Sequence, residues 1–468
     1  MTTTSPQLFF TAPWEPVSVR RGDALGLGAL ADQFSNAVAP DLSARISDGR
    51  WVTLLAWSLV QSQQVFQASG GRSVVTRQEQ IQRYAWLRPL ELLWVARTIS
   101  LLKTDTEDWK QRPLSGRRRV APWVDGNMKA DRFGMTPKQF QAYRQTGPYG
   151  GYRRAFRKWP GLTAGDGWTP GPQSEALSRW LDGKLKGARL QLADDVSRSA
   201  KLARKKEGRD SENKWWLEHW KTFDQAAQTG KTAELNTLPR QRGDFSELPE
   251  AALLKPIIFG NDPAGKRRLT IVQSIAKFSA TDHVSLFQYL SQQFNNDPTI
   301  ARLSTFSCLA DAGLAGMNYI NDGLKREPRV ALAAIARGSA AKEVCKALQA
   351  AAQAWLAVQA GPSAQATTLR HTDAADRFAQ TMAVSAVPLD CFRQLLRHHE
   401  TYGGGLRWFV LRDGHVEART LSKGEASRYG FRLWALCRLA AQCGVLTKMP
   451  KALRYDIELD NDDDYDDA

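Results

Sequence analysis

A chain of 468 residues, 43% of them hydrophobic, can build two or three domains with cores of their own, which excludes global disorder. It has no apolar run long enough for a transmembrane helix, and its first residues, MTTTSPQLFFTAPWEPV, lack the basic and apolar regions of a secretory signal. The five cysteines (Cys308, Cys345, Cys391, Cys437, Cys443) fit neither zinc-knuckle spacing nor a disulfide framework, and with a net charge of +16 they point to a reduced, cytoplasmic, basic protein.

In chain order, Met1–Val17 reads as an extended lead-in, because Pro13 and Pro16 oppose a helix. Asp23 can cap a helix that sets Leu25, Leu27, Leu30, Phe34 and Val38 mainly on one face, ending at Pro40. After SARISDGRW, the apolar stretch Trp51–Phe66 is too long for a strand and is spaced as a buried helix. Thr76–Leu102 reads as a helical pair with Pro89 in the first turn of its second member. Trp109–Arg132, rich in Arg, Trp, Pro and Gly, reads as a loop or irregular lobe. Thr136-Pro137 then starts a short helix over Lys138–Gln145. GPYGG is expected to loop into YRRAFRKW, and Asp166–Gly187 is expected to be a turn followed by a helix. Leu192–Gly230 reads as an exposed helical region and Leu238–Pro249 as a linker.

Ala251–Leu446 is alanine-rich and reads as helical. Within it, Leu406–Leu421 is expected to form a β-hairpin around Asp413-Gly414, followed by a buried helix over Ser427–Val445. The fold class is therefore mainly α: a multi-domain helical protein with a small β-hairpin near 406–421 and winged-helix-like elements. The expected divisions are a basic helical domain at 1–190, a charged helical or linker region at 191–250, a helical domain with the hairpin at 251–450, and an acidic tail at 451–468.

Charge is concentrated. Gly71–Lys158 holds 19 Lys/Arg against 7 Asp/Glu, a net +12 in under a fifth of the chain, whereas Asp456–Ala468 holds eight acids and no Lys or Arg. Charges that only solvate a surface are normally mixed in sign, so the basic block points to a polyanion. Two segments interleave cations with aromatic rings, Lys110–Trp123 (KQRPLSGRRRVAPW) and Tyr149–Trp159 (YGGYRRAFRKW). Cations neutralise phosphates, and the rings can stack on bases. Alternatively Tyr152, Phe156 and Trp159 form the core face of a helix; that arrangement still leaves arginines outward, so the two coexist. The candidate phosphate contacts are Arg112, Arg117, Arg118, Arg119, Arg132, Arg153, Arg154, Arg157 and Lys158, with Lys266, Arg267 and Arg268 on a second, exposed basic turn. The acidic tail resembles in composition the tails of single-stranded-DNA-binding proteins, without their closing apolar residue; it suits competition for the basic surface, partner docking or solubility.

Catalytic signatures are weak. GNDPAGKR, Gly260–Arg267, imitates a phosphate-binding loop, yet Arg267 stands where Ser or Thr would hold magnesium. His398-His399-Glu400 points its two imidazoles to different faces, which suits surface or loop histidines better than a metal, and His371 with Asp373 adds little. The sequence contains no nucleophile elbow, H-E-x-x-H or dinucleotide fingerprint, so no catalytic residue, metal or cofactor is assigned.

RRGDALGLGALADQFSNAVAPDLSARISDGRWVTLLAWSL, GPYGGYRRAFRKW and SRYGFRLWALCRLAAQCGVL resemble an uncharacterised family of bacterial proteins from mobile or phage-defence gene clusters, often beside helicase or nuclease genes. The resemblance implies a setting and carries no catalytic residues. The expected function is a non-enzymatic nucleic-acid-binding (DNA) subunit of a prokaryotic antiviral defence complex, with protein partners such as a helicase or nuclease and no membrane. The alternatives are an adaptor docking an acidic protein and, further off, a cryptic nuclease or NTPase.

Overall fold

A computed structural model of the chain describes residues 23–43, 45–46, 48–68, 76, 83–84, 87–88, 90–96, 98–99, 114–126, 137–184, 245–279, 281–325, 327–361, 369–403, 407–419 and 429–453. The expected lead-in, the 192–230 region, most of the 238–249 linker, much of the 76–102 pair and the acidic tail lie outside these residues.

The protein is mainly α. Its described elements are α1 (Gly28–Val38), α2 (Gly49–Ala68), α3 (Arg117–Asp125), α4 (Pro137–Thr146), α5 (Pro148–Lys158), α6 (Pro172–Lys184), α7 (Ala251–Ile258), α8 (Pro263–Ala276), α9 (His283–Gln293), α10 (Leu303–Gly323), β1 (Arg329–Ala331), α11 (Leu332–Ile335), α12 (Ser339–Ala360), α13 (Asp373–Ala383), α14 (Pro388–Tyr402), β2 (Phe409–Arg412), β3 (His415–Ala418) and α15 (Leu433–Gln442). No described helix is long and apolar enough to cross a membrane. Two compact units divide the chain out of sequence order, and the first boundary falls inside α1.

One unit comprises Met1–Gln33 and Asn296–Tyr429. Its core is a helical pack of α10, α12, α13 and α14 around Phe306, Met317, Trp355, Phe378 and Leu395. Gly313 lets Leu25 and Phe378 approach α10; a Cβ there would lie 2.6 Å from Leu25 Cδ1. The antiparallel sheet has the order β1-β3-β2 and packs on α14 through β2. The hairpin forms where expected because Asp413 and Gly414 both take positive φ, 47° and 73°, which a tight two-residue turn requires.

The expectation of surface or loop histidines is corrected: His398 and His399 are buried in α14. His398 Nε2 lies 2.9 Å from Leu25 O, with its ring between Phe378 and Tyr402. Burial lowers the His398 pKa from its ordinary value, against the pull of the Leu25 carbonyl. His399 Nε2 accepts the Trp408 N–H at 2.9 Å, which assigns its proton to Nδ1, 2.8 Å from Ala24 O. Both imidazoles are occupied in holding the approach to α1.

The other unit comprises Phe34–Asn295 and Gly430–Ala468. Here α2 packs on α6, and the Trp57 indole donates to Asp182 Oδ1 at 2.7 Å. A charged network lies inside this unit. Arg50 Nε meets Glu250 Oε1 at 3.0 Å with both side chains 0% exposed, and Thr53 Oγ1 donates to the same oxygen at 3.0 Å. Burial raises the Glu250 pKa, and the Arg50 charge draws it back. Asp48 Oδ1 accepts from Arg50 N and Gln442 Nε2, each at 3.0 Å, while Gln442 Oε1 accepts from Gly49 N at 2.7 Å. The start of α2 is thus fixed by groups from α7 and α15.

Candidate nucleic-acid interface

The basic segments of the sequence fall on α3 to α5, all within the second unit. GPYGG is not the expected loop. Pro148 occupies the first position of α5, where its missing N–H costs nothing, and Gly150 and Gly151 lie inside the helix. They are needed for close approach: a Cβ on Gly150 would lie 2.5 Å from Gln145 O, and one on Gly151 2.8 Å from Arg45 Cβ. Glu91 supplies the cap. Its Oε1 accepts the Tyr149 N–H, and Tyr84 Oη donates to its Oε2 at 2.9 Å. Burial pushes the Glu91 carboxyl up to about 8, against those two hydrogen bonds and the Arg88 charge.

The spacing of α5 separates its chemistry cleanly. Tyr149, Tyr152, Ala155, Phe156 and the following Trp159 are buried, whereas Arg154, Arg157 and Lys158 are exposed. Tyr152 Oη bridges Asp48, donating to its O at 2.9 Å and accepting from its N at 3.0 Å, so the charged network holds the inner face of α5. Tyr149 packs against Phe156 and Trp168 at centroid distances of 5.7 and 5.1 Å. Trp168 is carried by a turn in which Asp166 Oδ1 accepts from Trp168 N and Thr169 N.

Arg153 is half-buried, its guanidinium 5.5 Å over the Trp168 ring. Its pKa is lowered first by burial and then by repulsion from Arg157 and Arg144, while Tyr149 raises it. Arg144, Arg153 and Arg157 therefore crowd one region with like charge. Arg154 makes a long ion pair, 3.7 Å to Asp41. Sequence reasoning missed Arg144 and Arg45, whose Nη1 donates to Gln145 O at 2.6 Å. Both join the cluster across the α4–α5 turn, and no helical spacing links them to it.

The expected irregular lobe contains a helix, α3. The arginine run and Pro122 hide it from periodicity, yet Val120 and Trp123 are buried together on one side while Arg118 is exposed and Arg117 and Arg119 are half-buried. Gly116 starts it at φ 81°, and a Cβ there would fall 2.4 Å from Tyr143 Oη of α4. Gly116→Ala should therefore destabilise the fold by more than about 1 kcal/mol, read as a lowered melting temperature; an unchanged midpoint would contradict this packing. Because α4 also packs on α5, the structure brings the start of α3, α4 and α5 together. Arg112 and Arg132 lie outside the described residues.

The second basic cluster is corrected. Lys266, Arg267 and Arg268 are not on an exposed turn but in the first turns of α8. Lys266 is exposed. Arg267 donates through Nε to Ala37 O at 3.2 Å and covers the Phe294 ring. Arg268 is 0% exposed and donates to Ile258 O and Pro40 O, each at 2.7 Å; burial lowers its pKa to about 10, and it serves as a core tie, not a phosphate contact. Asp262 Oδ1 accepts from Ala264 N and Gly265 N, the very amides that a phosphate cradle would need. Among the described residues no group of three or more His, Cys, Asp or Glu is placed to hold a metal.

No family model matches the chain, and no curated protein or solved structure shows significant similarity to it. The fold defines a mainly α protein, and its functional reading rests on its own residues.

Proposed function

We propose that the chain is a non-enzymatic, cytoplasmic nucleic-acid-binding protein that takes DNA on the outer face of α5. The carrying observation is the pairing of a buried aromatic face with Arg154, Arg157 and Lys158 turned outward, beside Arg144 and Arg153 in a like-charged crowd. Holding cations together against their repulsion is relieved by a polyanion, and phosphate is the commonest one. The sequence resemblance supplies the wider setting in this reading: a subunit of a prokaryotic antiviral assembly, working beside a helicase or nuclease.

Fluorescence anisotropy with labelled DNA across a salt series tests the proposal. Affinity should fall steeply with salt, and the R154A/R157A/K158A variant should reduce the slope of log affinity against log salt by about 3, weakening all sequences alike. Binding that is absent, or a slope that the triple variant leaves unchanged, would overturn it.

A further inference from the structure

The burial of the aromatic rings selects between two kinds of nucleic acid. Proteins that grip single strands track the backbone with cations and stack bases on exposed rings, each base contributing about 1–3 kcal/mol. The sequence places Tyr149, Tyr152, Phe156 and Trp159 among the cations as if for this purpose. In the structure these rings and Trp168 are at most 3% exposed. Their faces are also taken: Tyr149 lies against Phe156 and Trp168, Trp168 is covered by Arg153 and edged by Tyr84, and Trp159 is covered by Arg268 at 5.5 Å. A base has no described ring of α5 or its following turn to stack on.

The chemistry left outward is charge alone. Arg154, Arg157 and Lys158 stand at i, i+3 and i+4, neighbours on one helical face. The sequence of α5, PYGGYRRAFRK, has no Asn, Gln, Ser, Thr or acid, so its only groups able to touch a base edge are the same cations that neutralise phosphates, and these could read guanine alone. The helix is also held rigidly, capped by Glu91 and bridged to Asp48 by Tyr152. A rigid row of cations suits a rigid, dense row of phosphates. Duplex DNA presents one charge per about 1.7 Å of axis and releases more counterions per contact than a single strand.

We infer that the α5 surface takes the phosphate backbone of duplex DNA, independent of base sequence, and does not hold single strands by stacking. This rests on the function proposed above and specifies the substrate class of the same surface. The test compares the full chain on a labelled 20-base-pair duplex of mixed sequence, on one of its strands alone, and on polyglutamate as a mimic of an acidic protein. The duplex should bind at least about tenfold more tightly than the single strand, scrambling its sequence should change affinity by less than about threefold, and tryptophan fluorescence should stay unquenched by either. R154Q/R157Q/K158Q, with its fold checked by circular dichroism, should lose the duplex preference, and Arg157→Gln alone should weaken it if the triple variant is unfolded.

A single strand bound as tightly as the duplex, or with quenching, would overturn this inference and leave the proposed function standing. A duplex preference untouched by either variant would place the DNA elsewhere and overturn both assignments to α5. Binding of polyglutamate without either DNA would overturn the inference together with the proposed function.

Discussion

Glu250→Ala should cost about 3–5 kcal/mol of folding stability. Glu250 and Arg50 meet at 3.0 Å with neither side chain exposed, so removing the carboxylate takes the 3.0 Å ion-pair partner from a fully buried guanidinium. Thr53 Oγ1 loses its acceptor at the same time. The damage should spread, because Asp48, which bonds to Arg50 N, also holds Gln442 and, through its backbone, Tyr152 of α5. Urea unfolding of the single variants and of Arg50→Met/Glu250→Leu gives the decisive comparison. The double variant should recover much of the loss, since replacing both members of a buried pair by apolar groups is often nearly neutral. A Glu250→Ala variant within about 1 kcal/mol of the native protein would show that the pair is not holding α2.

Stability should also fall as pH rises between about 4.5 and 8, through Glu91. Its folded-state value of about 8 lies above the ordinary 4.5, so the folded protein holds a proton there that the unfolded chain releases. The contribution is complete below the ordinary value and is lost through the folded one, at about 1.4 kcal/mol per pH unit between them. The geometry permits it: with Oε2 protonated and donating to Tyr84 Oη, Oε1 still accepts the Tyr149 N–H that caps α5. His398 acts in the opposite sense, since its lowered value removes stability as pH falls below about 6.5. The difference between native protein and Glu91→Gln isolates the carboxyl. That variant should show a flatter profile from pH 5 to 8, and parallel profiles would sink the assignment.

Much of the fold was legible where the chain's own periodicity decides it. Leu30, Phe34 and Val38 are buried on α1 as their spacing requires, whereas Leu25 and Leu27, expected in the same helix, are buried in the turn before it; α2 spans the apolar stretch from Trp51 to Phe66, and Asp413-Gly414 makes the hairpin turn. What was hidden depends on partners far along the chain. β1 is three residues without alternation and exists by pairing with β3. The burial of His398 and His399 has no local signal, because the carbonyls they meet, at Leu25 and Ala24, are more than 370 residues away in sequence.

The basic block was visible, but its surface share was not. Arg83 and Arg88, counted in the +12, are buried; Arg83 donates to Leu59 O, Ser62 Oγ and Gln63 Oε1. Arg268 did carry a signal. It sits in register with Ile271, Val272 and Ile275, the buried stripe of α8. Residue type outweighed position in the expectation of an exposed turn. For α5 the aromatic core face and the outward arginines were both anticipated, and the helix settles the rings as buried.

The bonds that close the two units also set when they can form during synthesis. Asp48 waits for Gln442, 394 residues later; Ala24 waits for His399, 375 later; and Asp23 waits for Tyr429, 406 later. At about 5–20 residues per second, the early helices emerge roughly 20–80 s before those partners. For that interval the approach to α1 and the Asp48 end of α2 lack these partners, although α6 and Glu250 reach α2 earlier, so both units are completed only from the C-terminal side.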